Sequence, residues 1–177
     1  MSDPLLLRTF NFEVELRRSA DLRSGELGSR AAPGSGAESG ELLCAGGFQE
    51  CSGLEVELDI QELFEGGRND GVIRRVGRAK FQPITLKRGM FFAVDNGAAG
   101  LDRSLWRWLQ SISAGVVPVP RYDGWIRVID QDQVIATWSF VRGLPNRLRG
   151  PELNAKTGEI AIEELTIAHE GLKLEDA

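Results

Sequence analysis

The side chains best suited to chemistry are few in this 177-residue chain. His169 is the only histidine, so one chain cannot build a site that needs two, such as a His-rich zinc site or a facial-triad iron site. It would also have to serve any serine or cysteine triad alone. His169 ends an alternating segment, and we interpret it as a satisfied structural histidine rather than a general base.

Cys44 and Cys51 are the only cysteines, and their C-x6-C spacing with a single histidine makes a poor zinc set. They could pair as a disulfide, but two cysteines without a secretion signal are more simply free thiols. Nothing in the neighbouring sequence marks a depressed thiol pKa, so neither is predicted to be a nucleophile.

Two acidic pairs, Glu55/Glu57 and Glu163/Glu164, could in principle act as catalytic carboxylates. Solvated or interface-forming strand faces explain them more simply. The chain also lacks a GxxxxGK[ST] phosphate loop, a GxGxxG fingerprint and a GxSxG elbow. The sequence therefore predicts no catalytic residue, no metal, no cofactor and no enzyme activity, and a hydrolase is the most distant hypothesis.

Composition is that of an ordinary globular protein, with 42% apolar and 27% charged residues. The net charge of −5 and the absence of a long basic run argue against nucleic-acid binding. No segment approaches the ~18 apolar residues of a membrane span. The N-terminus mixes charges with apolar residues, unlike a signal peptide. We expect one domain over residues 1–177, made in the cytoplasm.

The first elements are a strand and a loop. Residues 7–18 alternate, with Phe10, Phe12, Val14 and Leu16 on one face. Residues 19–43 lose this period and are rich in Gly, Ser, Ala, Arg and Glu, which predicts a flexible surface loop.

Residues 53–88 are predicted to form an extended hairpin. The outgoing strand 53–63 places its apolar residues inward (Leu54, Val56, Leu58 and Ile60). Turn-forming residues follow at 65–71. The returning segment 72–88 carries six basic residues, which suit cross-strand pairing with the acidic outgoing strand. A solvent-facing hairpin and an arm that pairs with another subunit are equally compatible with this pattern.

A helix is predicted over 101–113, where apolar residues share one face (Leu101, Leu105, Trp108, Leu109 and Ile112) and Trp106 lies off it. Strands 124–130 and 133–141 form a hairpin at Gln131-Asp132. In 158–169 the apolar parity changes at Glu163-Glu164, which predicts a β-bulge there. The fold class is mainly β: an antiparallel β-sandwich or barrel with one flanking helix and a long projecting hairpin.

Several segments resemble tail tube proteins of contractile phage-like particles. The central stretch is SGLEVELDIQELFEGGRNDGVIRRVGRAKFQPITLKRG (52–89). Further matching segments are LWRWLQ (105–110), DGWIRVIDQDQVIATWSF (123–140) and RGPELNAKTGEIAIEELTIAHEGL (149–172). The resemblance covers nearly the whole chain except 19–43 and is greatest to the inner tubes of extracellular contractile injection systems, relatives of type VI secretion tubes. The family commonly has aromatic residues around its WP…KW-G-P segment, whereas this chain has Leu144-Pro145 and Leu148 there, so local packing is expected to differ.

The resemblance implies hexameric rings that stack into a hollow tube inside a contractile sheath, with baseplate and spike proteins as partners and cargo possible in the lumen. The finished particle would be extracellular or virion-like. One alternative is a tube-initiator ring of the baseplate. Another, from a different class, is a monomeric β-barrel that binds a small ligand.

On this interpretation, Glu62–Gly77 is the candidate inter-ring arm. Its predicted polar contacts are Glu62, Arg68, Asn69, Asp70, Arg74 and Arg75. Trp106, off the apolar face of the helix, is the candidate contact between neighbouring subunits.

Overall fold

The computed structural model describes residues 11–20, 40–63, 71–95, 98–154, 156 and 158–175. Within them lie one helix, α1 (Ser104–Ser113), and twelve strands. The strands are β1 (Phe12–Arg18), β2 (Leu42–Gly47), β3 (Glu50–Ser52), β4 (Val56–Leu63), β5 (Ile73–Phe81), β6 (Ile84–Gly89), β7 (Phe92–Asp95), β8 (Ala98–Leu101), β9 (Tyr122–Asp130), β10 (Gln133–Arg149), β11 (Ile162–Ala168) and β12 (Gly171–Leu174).

The main sheet has eight strands in the order β2-β1-β9-β10-β11-β6-β3, with β12 paired to β10. Every pairing in the main sheet is antiparallel, which confirms the predicted antiparallel architecture. Two further two-stranded sheets, β4-β5 and β7-β8, have no ladder to the main sheet.

Strand β10 connects the two layers of the sandwich. Residues from Gln133 to Gly143 pair with β9 or β12, whereas those from Leu144 onward pair with β11. The register with β9 shifts between Phe140 and Gly143, and Arg142 has a φ of 55°. A Cβ on Gly143 would lie 2.8 Å from Ile167 Cγ2 and the Tyr122 carbonyl oxygen, so this bend needs glycine.

The core lies between the layers. Fully buried residues of one layer (Val14, Leu16 and Phe140) belong to the same cluster as those of the other (Ile84, Leu86, Leu165 and Ile167). Val14 and Leu16 confirm the predicted inward face of the first strand, while Phe10 lies outside the described residues.

Helix α1 closes one side of this core through Leu105 and Trp108. It begins three residues later than predicted, because Leu101 belongs to β8 and is exposed. Gly115, at a φ of 82°, follows the helix as expected for a C-terminal glycine. No helix in the described part of the chain is long and apolar enough to cross a membrane.

The predicted turn at Gln131-Asp132 is confirmed, since both residues have positive φ and join β9 to β10. The predicted loop 19–43 is wrong at its C-terminal end, where Leu42 and Leu43 start β2. Residues 21–39 of that loop lie outside the described part. Strands β2, β7, β8 and β12 had no clear signal in the sequence.

The predicted β-bulge at Glu163-Glu164 is wrong. Strand β11 pairs with β6 in continuous register from Ile162 to Ile167, so Glu163 faces Arg88 and Leu165 faces Leu86. The parity break has a different cause: Glu163 is an inward-facing residue of a regular strand, while Ile160 precedes the strand and is exposed.

Candidate assembly surface

Strands β4 and β5 form an arm that stands apart from the main sheet. The strands that flank the arm in sequence are β3 (Glu50–Ser52) and β6 (Ile84–Gly89). They pair with each other inside the main sheet and form the base of the arm. Val56 pairs with Phe81 at the root of the arm, and Leu63 pairs with Ile73 toward its tip. The projecting hairpin predicted within 53–88 is thus present, with its arm at Val56–Phe81.

One face of the arm is apolar. Val56, Leu58 and Ile60 alternate along β4, and their partners on β5 are Phe81, Ala79 and Val76. The register shifts between Leu58 and Ile60, where β5 contains one extra residue. Without this bulge, Val76 would turn to the opposite face, so the bulge keeps the apolar residues of both strands together.

This apolar face is uncovered in the subunit. Val56, Leu58, Ile60 and Val76 are between 48% and 69% exposed. The prediction that Val56, Leu58 and Ile60 point into the core is therefore wrong. The residues do alternate, but the chain leaves the main sheet after Ser52, and no second layer from the described residues lies over this face.

The opposite face of the arm is charged. Glu57 lies across from Lys80, and Gln61 across from Arg75. Glu62 and Arg74 lie near the tip on the apolar side, where Arg74 Nε donates to Glu62 Oε1 at 3.1 Å. The predicted acidic-to-basic pairing is confirmed for this pair, although exposure keeps such a contact weak.

Six residues were predicted to make inter-ring contacts. The structure brings Glu62 and Arg74 together and places Arg75 on the other face. Arg68, Asn69 and Asp70 lie outside the described residues. The sequence analysis did not predict Val76 as part of an apolar face, because it described this segment by its basic residues. The apolar residues of the segment are Ile73, Val76, Ala79 and Phe81. Their uneven spacing was the available signal for a bulged amphipathic strand.

His169 lies at the root of the arm, one residue after β11. Its Nδ1 is 3.1 Å from the Gly171 carbonyl oxygen, and its Nε2 is 3.0 Å from the Gln82 carbonyl oxygen. Its ring centroid is 5.6 Å from those of Phe81 and Phe140. Burial lowers the pKa of His169, while the two carbonyl contacts act in the opposite direction. The predicted structural role of this histidine is confirmed by these contacts.

Trp106, the candidate subunit contact, is partly covered by its own subunit. Its Nε1 donates to Glu163 Oε2 at 3.1 Å, and its ring lies so close to Gly150 that a Cβ added there would be 3.3 Å from Trp106 Cζ2. Its position off the apolar face of α1 thus has an internal explanation, since it completes a buried polar cluster. A contact with a neighbouring subunit remains a prediction.

The centre of that cluster is the buried pair Arg88–Glu163. Arg88 Nε donates to Glu163 Oε1 at 2.7 Å, and both side chains are at most 5% exposed. Arg88 also pairs with Asp102 at 3.0 Å, and Asp102 accepts the backbone N–H of Ser104 at 2.9 Å. Burial opposes ionisation of Asp102, but the bonds from Ser104 and Arg88 keep its pKa below the usual value.

The interpretation of Glu163/Glu164 as a solvated or interface face is therefore half wrong. Glu163 is inside, whereas Glu164 lies on the outer face, 4.0 Å from Lys87. Glu55 and Glu57 are both exposed near the arm root. Neither acidic pair forms a two-carboxylate site in the described part of the chain. Cys44 and Cys51 are free thiols, and burial raises the pKa of each to about 12.

A second uncovered apolar surface, absent from the sequence predictions, lies beside β7 and β8. Phe91 and Phe92 are exposed, as is Leu101, which pairs with Phe92. The adjacent Phe-Phe dipeptide was the signal that pointed to it.

The sequence model of the family described as T4-like virus tail tube protein gp19 matches residues 8–173. No curated protein sequence is significantly similar to the chain.

Solved structures show a similar fold. One similar chain belongs to the sheath–tube complex of PVC, an extracellular contractile injection system, in its extended state. It has a TM-score of 0.67 at 20% identity, and the match covers 97% of this chain and 93% of that one. A chain of the anti-feeding prophage cap, described as a tube terminating cap, has a TM-score of 0.68 at 20% identity, covering 100% and 95%. An Hcp protein has a TM-score of 0.50 at 11% identity, covering 93% and 92%.

Proposed function

The chain belongs to the T4-like virus tail tube protein family, and we propose from this premise that it is a structural subunit of the inner tube of a contractile injection particle. Its partners would be further copies of itself in hexameric rings, the surrounding sheath, and the baseplate and spike below. Possible cargo would occupy the lumen. Its role would be mechanical rather than enzymatic, and the working site would be a particle outside the cell that made it.

The observation that carries this proposal is the uncovered apolar face of the arm. A two-stranded ribbon is marginally stable alone, and apolar side chains along one face need a layer to pack against. Val56, Leu58, Ile60 and Val76 remain about half exposed or more, and no described part of the subunit supplies such a layer. A second copy supplies one in a closed ring or a stack, where each subunit presents two different complementary surfaces.

Electron microscopy of the purified protein tests the proposal directly. We expect hexameric rings or tubes, whereas a strictly monomeric species at high concentration would contradict it. A ring that co-purifies with a spike protein but is absent from long tubes would identify the baseplate initiator instead.

A pair of matched double variants tests the arm itself. Ile60→Ser/Val76→Ser changes cross-strand partners on the apolar face, and Glu57→Ser/Lys80→Ser changes partners on the charged face without altering the net charge. We expect the first to remain folded but fail to assemble, and the second to assemble like the natural protein. Equal assembly of both variants would show that the apolar face is not an interface.

A further inference from the structure

The root of the arm is joined to the main sheet by few described contacts. The β4–β5 ladder is separate from the main sheet, and only short connections link it to β3 and β6. On the β5 side the connection is Gln82-Pro83. A two-stranded ribbon with such short connections can pivot as a unit unless a further contact fixes its angle.

His169 makes such a contact. It belongs to the turn between β11 and β12, yet its Nε2 lies 3.0 Å from the carbonyl oxygen of Gln82. The ring also neighbours Phe81, the last residue of the arm, and Phe140 of the core, each with centroids 5.6 Å away. The histidine therefore bridges a core strand and the root of the arm, 87 residues earlier in the sequence.

We propose that His169 is a positioning residue that sets the direction in which the arm leaves the main sheet, by donating its Nε2 proton to the Gln82 carbonyl. The importance of this direction for assembly rests on the proposed function: an arm must meet its neighbour at one angle for rings to stack. The neutral imidazole carries one proton, and the contact with Gln82 needs it on Nε2.

No charged side chain among the described residues contacts the imidazole ring, so hydrogen bonds and ring contacts hold His169 in place. Among the described residues packed around the ring, the contacts come from Phe81, Gln82, Phe140 and Gly171, none of which is ionised. The neighbouring Glu170 is engaged with Arg121 and Arg142. The position of His169 is thus determined by the two carbonyl oxygens and the two aromatic rings.

Two amide substitutions distinguish the role of Nε2 from that of Nδ1. The Gln side chain can place its NH2 near the Nε2 position, whereas the shorter Asn places it near Nδ1. His169→Gln should therefore keep a hydrogen bond to the Gln82 carbonyl, whereas His169→Asn, whose NH2 reaches only the Nδ1 position beside the Gly171 carbonyl, should lose it. Both variants lose the same aromatic contacts. Gln82→Ala is the control, because the acceptor is a backbone oxygen.

The arm angle is measured by pulsed electron–electron spin resonance on the full chain. Spin labels are placed at Gln61→Cys on the arm and Glu13→Cys on β1. Cys51→Ser removes the more exposed of the two free thiols, while Cys44 is buried and is left in place. Labelled protein is diluted into unlabelled protein. We expect narrow distance distributions for the natural protein, His169→Gln and Gln82→Ala. For His169→Asn we expect a broadened distribution, together with a roughly two- to tenfold weaker stacking association.

Indistinguishable Asn and Gln variants, or an unchanged distribution in His169→Asn, would overturn the assignment. Because the distance readout does not require assembly, it is independent of the proposed function. Failure of the natural protein to form rings would contradict the tube proposal and leave the arm measurement to decide the role of His169.

Discussion

At the residue scale, one buried ion pair explains the irregular pattern of the last long strand. Glu163 occupies a position where the alternation requires an apolar residue, and it is acceptable there because Arg88 and Trp106 both donate to it. In the described residues every buried side-chain nitrogen and oxygen has a hydrogen-bond partner. The charge is therefore buried without an unsatisfied partner, as burial of an ion demands.

Glu163→Ala should destabilise the subunit strongly. Among the described residues it leaves Arg88 with Asp102 alone as a carboxylate partner and removes the acceptor of Trp106, which should lower the free energy of unfolding by about 3 kcal/mol or more. Urea denaturation measures this change. Glu164→Ala, one residue along on the outer face, should cost less than about 1 kcal/mol, because exposed ion pairs contribute little. Equal costs would show that Glu163 is not buried as described.

His169 should make the subunit less stable as the pH falls. Its folded pKa lies below the ordinary value of 6.5, so the unfolded chain takes up the proton first. The contribution of His169 to the free energy of unfolding is therefore fully present above about pH 6.5, and it is lost as the pH falls through the folded pKa. Hydrogen bonding and ion pairs also depress the pKa of Glu175 and, despite burial, those of Glu15 and Asp102, which adds a loss at more acidic pH.

Unfolding free energies measured from pH 8 to pH 4 test this expectation. His169→Gln should remove the decrease that begins near pH 6.5 and keep the more acidic one. A histidine-dependent increase in stability on acidification would contradict the direction of the shift.

The two thiols should be unreactive in the folded protein. Because burial raises the pKa of Cys44 and Cys51 to about 12, the thiolate that attacks a disulfide reagent is scarce at pH 8. Titration with a chromogenic disulfide should show slow reaction of both thiols in buffer and rapid reaction in denaturant. Rapid labelling of the folded subunit would contradict their burial.

At the element scale, helix α1 is held by its apolar face and by the polar cluster at its start. Leu105 and Trp108 are buried in the core, and Trp108 Nε1 donates to the Pro120 carbonyl oxygen at 2.9 Å. Just before the helix, Asp102 accepts a hydrogen bond from the backbone N–H of Ser104 and forms an ion pair with Arg88. This link explains why the helix begins at Ser104 rather than at Leu101.

Leu105→Ala should lower the free energy of unfolding by about 2–5 kcal/mol, because it removes buried methyl groups and leaves a cavity. Arg107→Ala, on the exposed face of the same helix, is the control and should stay within about 0.5 kcal/mol of the natural protein. Chemical denaturation monitored by tryptophan fluorescence measures both. A shift below about 0.5 kcal/mol for Leu105→Ala would show that the helix packs by another face.

At the scale of the whole molecule, the arm is separable from the rest of the subunit. Its strands pair with each other and not with the main sheet, and its apolar residues are exposed rather than part of the core cluster. The subunit thus combines a sandwich that folds around its own core with a ribbon that lacks a core of its own.

Deletion of residues 66–75 should therefore leave folded subunits and, on the proposed function, rings that fail to stack. We expect the thermal midpoint to change by only a few degrees, since little buried apolar surface is lost. Calorimetry and electron microscopy measure the two effects. Loss of folding would instead place the arm within the core of the subunit.

Much of the architecture could be predicted because it follows from local pattern. Val14 and Leu16 alternate on a strand that packs on one side, and Gln131-Asp132 supplies the positive φ values of a tight turn. Helix α1 has an apolar face at the helical period. In each case, neighbouring residues in sequence carry the information.

The sequence by itself determined the class of fold, the extended hairpin and the scarcity of groups that could do chemistry. Only the tertiary structure decided which apolar faces are covered. Leu58 and Leu86 both lie in alternating strands, yet one is half exposed on the arm and the other is fully buried. Arg88 and Glu163, 75 residues apart, become partners because β6 and β11 pair in register. Alternation identifies the two faces of a strand, but only the other layers of the fold determine which face is buried.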